Sequence, residues 1–283
     1  MQVFVTGATG YIGRVVTEKL RAAGHSVSAL ARSGEAARKL KSLGAEPVRG
    51  DMRDASAIEN AARNSDGAIH LAMEFSADAP RLDRAAIDAI LAGLGRSGKP
   101  FLYTSGVWVM GDTAGHAVDE STPVNPTPLV AWRPSHEQLV LRADGVRGVV
   151  IRPAIVYGRN GGFTGSFAEA AKKGVVQFVG TGENRWPFVH VDDLADLYVL
   201  ALRAAPGSLY FAANGQSIAV RDVAQKAAGS ARVEAIPIEE ARKTMGPLAD
   251  AMTLDQLVSA RKAVTELGWA PKAPQVLEEL ASA

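Results

Sequence analysis

The sequence predicts an α/β protein with a doubly wound parallel sheet and a smaller carboxyl-terminal lobe. Short apolar segments alternate with amphipathic ones, beginning with Gln2–Thr6 and a helical repeat of apolar residues from Ile12 to Leu20. Strands that alternate with helices in this way form parallel sheets. The chain has 283 residues, of which 47% are hydrophobic and 22% charged. This is enough apolar sequence for one large domain or a domain with an added lobe.

Composition argues against several classes of function. The formal net charge of +1 gives no one-sided field for nucleic acid, so we expect no nucleic-acid partner. There is no cysteine, and no HExxH motif or acidic calcium loop, so we expect no metal site. No apolar run is long enough for a membrane span, and the start MQVFVTGATG lacks the cationic segment of a secretory signal. We therefore expect a cytoplasmic protein without a membrane partner.

The segment GATGYIG separates the first strand candidate from the first helix candidate. Its glycines, Gly7, Gly10 and Gly13, are three residues apart. A tight turn, close approach to a pyrophosphate and close packing of helix on strand each exclude a side chain at these positions. A plain glycine turn is the competing interpretation, but the strand-turn-helix context favours a Rossmann-type dinucleotide site. Its predicted contacts are Gly7, Thr9, Gly10, Tyr11, Ile12 and Gly13.

The second strand candidate, HSVSALARS, ends at the position that selects between the two nicotinamide dinucleotides. An acidic residue there would bind the adenosine ribose of NAD, but this chain has Arg32 and Ser33. A guanidinium pairs bidentately with a 2'-phosphate, and a hydroxyl adds a hydrogen bond. The pattern favours NADP over NAD, with a solvated arginine at a strand end as the competing interpretation.

Further strand candidates continue the alternation. Ala45–Arg49 precedes GDMRD, and the apolar segment GAIHLAM spans residues 67–73. Ligands of doubly wound sheets lie outside the carboxyl ends of the strands, so the residues that follow these strands are expected to line the adenine and the nearer ribose. They are Asp51, Met52, Leu71, Ala72 and Met73.

Several segments resemble one family. These are TGATGYIG, GDMRD, HLAM, YTSGVWVMG, IRPAIVYG, FVHVDDLA and ELGWAP. In this order and spacing the chain resembles the extended short-chain dehydrogenase/reductase superfamily, the group of NAD(P)-dependent nucleotide-sugar epimerases and dehydratases, nearly from end to end. We expect a Rossmann domain of residues 1–158 plus about 188–213, and a substrate lobe of about 159–187 and 214–283.

The resemblance implies an active site of Asn, Ser or Thr, and a Tyr and Lys four residues apart. The Asn position falls near Asp83, with a one-residue ambiguity. The serine position falls on Ser105, although strict spacing would select Gly106. The tyrosine and lysine positions fall on Trp132 and His136, so neither catalytic side chain is present.

These replacements change the chemistry. Indole is only a donor, so Trp132 cannot act as general acid or base. His136 lies four residues further along a helix, within reach of the nicotinamide ribose, and imidazole exchanges protons near neutral pH. A buried structural histidine is the competing interpretation. Pro134 must either lie at the start of that helix or bend it.

Other residues could act as the acid by their position. They are Tyr157, whose competing role is structural, and Tyr103, Glu74, His70 and His190. The remaining predicted cofactor contacts are Thr104, His136, Pro153, Ala154 and Val156.

Two functions remain open at this point. The first is an NADP-dependent oxidoreductase, or an epimerase or dehydratase, in which Ser105 orients a compact carbonyl or hydroxyl substrate. The second is a non-catalytic NADPH-binding sensor, which the missing tyrosine and lysine favour. The resemblance also implies a homodimer, because helices that begin near Asp83 and Trp132 form a dimer interface in many relatives.

Overall fold

Strands and helices alternate along the chain, as predicted. The computed structural model describes residues 1–282. The strands are β1 Gln2–Thr6, β2 Ser26–Ala31, β3 Glu46–Arg49, β4 Gly67–His70, β5 Pro100–Thr104, β6 Ala117–Val118, β7 Arg147–Pro153, β8 Ile155–Gly158, β9 Val175–Val179, β10 Arg185–His190, β11 Ser208–Ala212, β12 Ser217–Ala219, β13 Arg232–Ile236 and β14 Leu257–Val258. The α-helices are α1 Tyr11–Ala22, α2 Gly34–Ser42, α3 Ala55–Arg63, α4 Ala79–Leu94, α5 Arg133–Leu141, α6 Gly162–Lys172, α7 Val191–Ala201, α8 Val220–Ala228, α9 Ile238–Met245, α10 Leu248–Met252, α11 Arg261–Leu267 and α12 Val276–Ser282. Short 3-10 helices span Val107–Met110 and Pro128–Val130.

A seven-stranded sheet with the order β3-β2-β1-β4-β5-β7-β11 forms the centre of the fold. Neighbouring strands from β3 through β7 pair in parallel. The predicted doubly wound sheet is therefore confirmed. Its strand order reverses between β1 and β4, and ligands of such sheets bind outside the carboxyl ends of the strands at that reversal.

The first of two compact units contains most of this sheet. It comprises residues 1–105, 132–151 and 195–209. Its core packs side chains from the sheet, such as Phe4 and Phe101, with Ile58 of α3 and Ile87 of α4, all fully buried. This apolar layer supports the carboxyl ends of β4 and β5, where the polar residues of the candidate site lie.

The second unit comprises residues 106–131, 152–194 and 210 onward. Its core surrounds Trp186 and Phe188. It is larger than the lobe expected from the sequence, which excluded 106–131, 152–158, 188–194 and 210–213. The difference has a physical reason: β8 and the second half of β10, which the sequence assigned to the Rossmann domain, belong to a separate sheet in which β10 pairs with both β8 and β12.

Candidate active site

The glycine turn after β1 has the geometry of a dinucleotide cradle. Gly7 has φ +74°, and a Cβ there would lie 2.5 Å from the amide nitrogen of Ala72. A Cβ at Gly13, in the first turn of α1, would overlap the carbonyl oxygen of Gly7. Gly10 is exposed, and its Cβ would meet only that same oxygen, at 3.2 Å. Gly7 and Gly13 are thus required by packing, whereas Gly10 keeps the start of α1 open, which fits a bound pyrophosphate.

The end of β2 presents the residues predicted to select the dinucleotide. Arg32 and Ser33 are both exposed. The Ser33 hydroxyl caps α2 by accepting a hydrogen bond from the amide of Ala36 at 3.1 Å, which leaves its own proton available. No carboxylate lies within ion-pair distance of Arg32 among residues 1–282. A free cation beside a helix start fits a 2'-phosphate.

The other predicted cofactor contacts fall into both units. Asp51 and Met52 are half-buried after β3, and Asp51 accepts a hydrogen bond from the amide of Arg53 at 2.7 Å. Thr104 ends β5, and its hydroxyl is 2.6 Å from that of Tyr198. The remaining contacts in the first unit are Thr9, Tyr11, Ile12, Leu71, Ala72 and Met73, whereas Pro153, Ala154 and Val156 belong to the second.

A buried polar cluster follows β4 and β5, and we define it as His70, Asp83, Tyr103, Arg133 and His136. The Asp83 carboxylate is its centre. His136 Nδ1 lies 2.7 Å from Asp83 Oδ2, Tyr103 donates to Oδ2 at 2.9 Å, and His70 Nε2 is 3.3 Å from Oδ1. All five side chains are at least nine-tenths buried. The structure thus unites two predicted catalytic positions, Asp83 and His136, with three neighbours.

The fold explains how these residues meet. His70 ends β4 and is paired in register with Tyr103 on β5. Their rings stack with centroids 5.9 Å apart. Asp83 lies in the second turn of α4, which follows β4, and His136 lies in the first turns of α5, which packs on α4. Parallel strands that end at one sheet edge thus bring together side chains far apart in sequence.

The charge of Asp83 is fixed by its donors. Burial alone would raise the pKa of Asp83, but hydrogen bonds from His136 and His70, together with the nearby Arg133 charge, hold that pKa well below its usual range. Burial, opposed by the charge of Arg133, raises the pKa of the Tyr103 phenol well above its usual value. Asp83 is therefore an ionised acceptor, and Tyr103 keeps its proton at neutral pH.

The hydrogen-bond partners of the two ring nitrogens determine the tautomer of His70. The amide of Ala72 donates to Thr6 Oγ1 at 3.3 Å, and Thr6 Oγ1 lies 2.6 Å from His70 Nδ1. The ionised Asp83 can only accept, so His70 Nε2 donates to it. In the neutral ring, Nδ1 then accepts the proton of the Thr6 hydroxyl.

The helix with the missing tyrosine and lysine begins at Arg133. Pro134 occupies its first turn, so the proline lies at the start of the helix and does not bend it. Trp132 immediately precedes the helix, and its ring meets the His136 ring edge-on at a centroid distance of 4.9 Å. His136 Nδ1 is engaged by Asp83, while Nε2 has no hydrogen-bond partner in the part of the chain that the structure describes. An ionised carboxylate on one ring nitrogen leaves the other nitrogen able to accept and donate a proton.

Arg133 is the member that the sequence interpretation missed. Its guanidinium donates to the Thr104 carbonyl at 3.0 Å and to Tyr103 Oη at 3.4 Å, and it contacts Met73 Sδ at 3.3 Å. It also lies 4.6 Å from the centroid of the Trp132 ring. Arginine is rarely buried without a carboxylate partner, and no pattern in WRPSH distinguishes this one from a surface arginine.

Ser105 follows directly on β5. Its amide donates to the carbonyl of Ile151 on β7 at 2.8 Å, which fixes the backbone. Its Oγ is buried and has no hydrogen-bond partner within residues 1–282. Because buried hydroxyls normally find a partner, this one is suited to a ligand oxygen.

Tyr157, the alternative acid, is engaged elsewhere. Its hydroxyl donates to the Pro274 carbonyl at 2.7 Å and receives a contact from Asn214 Nδ2 at 3.4 Å. Burial raises the pKa of Tyr157 above its usual value. Both observations count against proton donation to a substrate and favour the structural interpretation.

The described residues contain neither a candidate metal-binding group nor a helix that could span a membrane. Histidine and acidic side chains form no group of three or more suited to a metal ion within residues 1–282. Across that same range, no helix combines the length and apolar character required to span a bilayer.

Comparison with known proteins places the chain in a family. Residues 3–211 match the NAD dependent epimerase/dehydratase family. An uncharacterized protein of Saccharomyces cerevisiae is 34% identical, covering 99% of this chain and 98% of its own length. The Stigmatella aurantiaca 4-hydroxy-2-methyl-3-oxo-4-farnesyl-3,4-dihydroquinoline-1-oxide ketoreductase is 30% identical, covering 78% of this chain and 70% of its own.

Solved structures share the fold. UDP-glucose 4-epimerase of Thermus thermophilus, in complex with NAD, has a TM-score of 0.80 and 23% identity, covering 99% of this chain and 97% of the other. Human epimerase family protein SDR39U1, with NADPH, has a TM-score of 0.80 and 21% identity, covering 100% and 99%. The predicted family resemblance is thus confirmed: this chain belongs to the NAD dependent epimerase/dehydratase family.

Proposed function

We propose that the protein is an NADP-dependent oxidoreductase that reduces a compact ketone or oxidises the matching alcohol. The observation that carries this proposal is the pair formed by ionised Asp83 and His136, 2.7 Å apart, in the same unit as the buried and unpartnered Ser105 hydroxyl. Together they supply a proton carrier and a donor for a substrate oxygen in a chain that lacks the family's tyrosine and lysine.

His136 carries the proton in this proposal. Asp83 accepts a hydrogen bond from Nδ1–H, orients the ring and stabilises the imidazolium. When substrate is reduced, Nε2 gives a proton to the developing alkoxide, and in the reverse direction it removes the proton of the alcohol. NADPH, when bound, supplies the hydride. Trp132 lies edge-on to this ring and restricts its orientation without itself exchanging protons.

Ser105 binds the oxygen that receives this proton. Its hydroxyl donates one hydrogen bond to the carbonyl oxygen and thereby polarises the carbonyl carbon. A buried donor is more effective here than an exposed one because water does not compete for it.

Reduction is favoured over epimerisation by one relative. The Stigmatella aurantiaca protein is named a ketoreductase, and the chain covers 70% of its length. We therefore propose a ketone, with a 3-oxo compound as the first class to test. The oxidoreductase interpretation also retains a use for Ser105, which a sensor without substrate does not require.

Arg32 sets the preference for NADP in this proposal. Arg32→Asp should weaken NADPH binding by about tenfold or more and narrow or reverse the preference over NADH, because a bidentate contact with the 2'-phosphate becomes a repulsion. The control is Arg21→Asp, since Arg21 lies in the last turn of α1, at the opposite edge of the sheet from the carboxyl ends of the strands. An unchanged ratio of the NADPH and NADH dissociation constants in Arg32→Asp would contradict the proposed contact between Arg32 and the 2'-phosphate.

The whole proposal is tested by a substrate panel. Purified protein is titrated with NADPH and NADH, and cofactor oxidation is followed with 3-oxo esters, simple ketones, aldehydes and quinones. Turnover of at least one ketone with NADPH is expected. Tight NADPH binding without turnover of any compound would instead support the sensor.

A further inference from the structure

We propose that Arg133 binds the nicotinamide ribose and so supplies the cation that the missing lysine does not. This inference rests on the proposed binding of NADP but not on the proposed turnover. It assigns the task to a residue outside the Tyr and Lys positions: His136, at the lysine position, directs Nδ1 at Asp83 and has one ring nitrogen left, whereas Arg133 has several spare N–H groups.

The guanidinium of Arg133 is buried with an incomplete set of partners. Only 7% of the residue is exposed. Its acceptors are the Thr104 carbonyl, Tyr103 Oη and the weak acceptor Met73 Sδ. A guanidinium has more N–H groups than these three acceptors use. No carboxylate lies within ion-pair distance of Arg133 among the residues described. A buried guanidinium with spare N–H donors and no direct ion pair is costly unless a ligand completes its hydrogen bonds.

The position of Arg133 matches one half of a dinucleotide. Its acceptors lie at the end of β5 and just after β4, on one side of the strand reversal. Arg32, the proposed partner of the 2'-phosphate, follows β2 on the other side. A dinucleotide crosses that reversal, so an adenosine half at β2 places the nicotinamide half at β4 and β5. Ribose hydroxyls are acceptors for the remaining N–H groups.

Arg133 is held in place before any ligand binds. The Trp132 ring lies against its guanidinium at 4.6 Å, and Pro134 follows it in the first turn of α5. Aromatic stacking and a fixed helix start reduce the side-chain entropy lost on binding. This gives the indole at the tyrosine position a use that is not proton transfer.

The test compares two ligands that differ by the nicotinamide half. NADPH contains it, whereas adenosine 2',5'-bisphosphate ends before it. Dissociation constants are measured by calorimetry for wild type, Arg133→Met and Arg133→Lys. We expect Arg133→Met to weaken NADPH binding by about tenfold or more and to leave adenosine 2',5'-bisphosphate within about twofold. Arg133→Lys should recover part of the NADPH affinity, because it keeps the charge.

Arg32→Ala is the matched control, because it should weaken both ligands together. Unchanged NADPH affinity in Arg133→Met would overturn the inference. Equal weakening of both ligands in Arg133→Met and Arg133→Lys, accompanied by a lower Tm, would also overturn it, since that pattern marks a structural role. Absence of turnover in the wild type would contradict the proposed function while leaving this contrast between ligands intact.

Discussion

The glycine turn and the buried polar cluster lie side by side in the first unit, yet they depend on different physics. In the turn, Gly7 and Gly13 are required because neighbouring backbone leaves no room for a Cβ. In the cluster, Asp83 collects hydrogen bonds from side chains that come from two strands and a second helix. The two regions are joined by Thr6, which accepts from the amide of Ala72 and contacts His70.

The contrast between backbone packing and side-chain hydrogen bonds indicates which parts of the fold can be substituted without loss of the cofactor site. The turn is a local backbone arrangement, so it requires glycine at these positions whatever reaction the protein catalyses. The cluster is an assembly of side chains, so replacing one member alters the protonation and hydrogen bonds of the others. A family fold can therefore keep its cofactor cradle while the residues around the substrate are exchanged.

The largest expected effect is the loss of the Asp83 charge. Asp83→Asn should lower the free energy of unfolding by about 3 kcal/mol, because it removes one partner of a buried charged network. The measurement is denaturant unfolding at pH 7. Asp88→Asn on the same helix is the control: Asp88 is exposed and pairs with Arg84 at 2.8 Å, and such a pair contributes about 0.5 kcal/mol. Equal losses of unfolding free energy in Asp83→Asn and Asp88→Asn would show that the buried cluster contributes no more than a surface ion pair.

The stability difference between wild type and Asp83→Asn should also depend on pH. The pKa of Asp83 is lower in the folded than in the unfolded chain, so folding favours the ionised form. This contribution is complete above the unfolded value of about 4 and is lost as pH falls towards the folded value. The stability difference between wild type and Asp83→Asn should therefore narrow below about pH 4. A constant difference from pH 7 to pH 3 would contradict the ionised state assigned to Asp83.

A smaller effect separates two glycines of the turn. Gly13→Ala should destabilise the protein by about 2 kcal/mol, because its methyl group overlaps the Gly7 carbonyl and the helix must shift. Gly10→Ala should leave Tm nearly unchanged but weaken NADPH binding, since the new methyl group occupies the space left for the pyrophosphate. Thermal unfolding and NADPH titration of both variants check this contrast. A similar loss of stability in Gly13→Ala and Gly10→Ala would contradict the assignment of Gly13 to packing and Gly10 to cofactor binding.

Local patterns predicted the sheet and the turn well. The GATGYIG segment follows a strand and opens a helix, as its spacing indicated. The second unit was harder to predict, because IRPAIVYG is a single apolar run in the sequence. The structure divides it into β7, in the central sheet, and β8, which pairs with β10 in another. Apolar pattern alone does not say which sheet a buried strand joins.

The candidate site was predictable only in part. Asp83, Ser105, Trp132 and His136 came from motif positions, and the structure brings Asp83 and His136 into contact. Arg133 could not be found in the same way, because its burial depends on the end of β5 and on Met73, which are distant in sequence. A charged residue acquires such a role from tertiary neighbours rather than from its own sequence context.

Proton transfer by His136 in place of the absent tyrosine can be tested with one rate constant. The rate is kcat for NADPH oxidation with the best ketone of the panel, compared between wild type and His136→Gln. Glutamine can still donate a hydrogen bond to Asp83 but cannot exchange a proton at neutral pH. We expect kcat to fall by about 100-fold or more in His136→Gln, with the dissociation constant of NADPH within about twofold of wild type. An unchanged kcat in His136→Gln would contradict it.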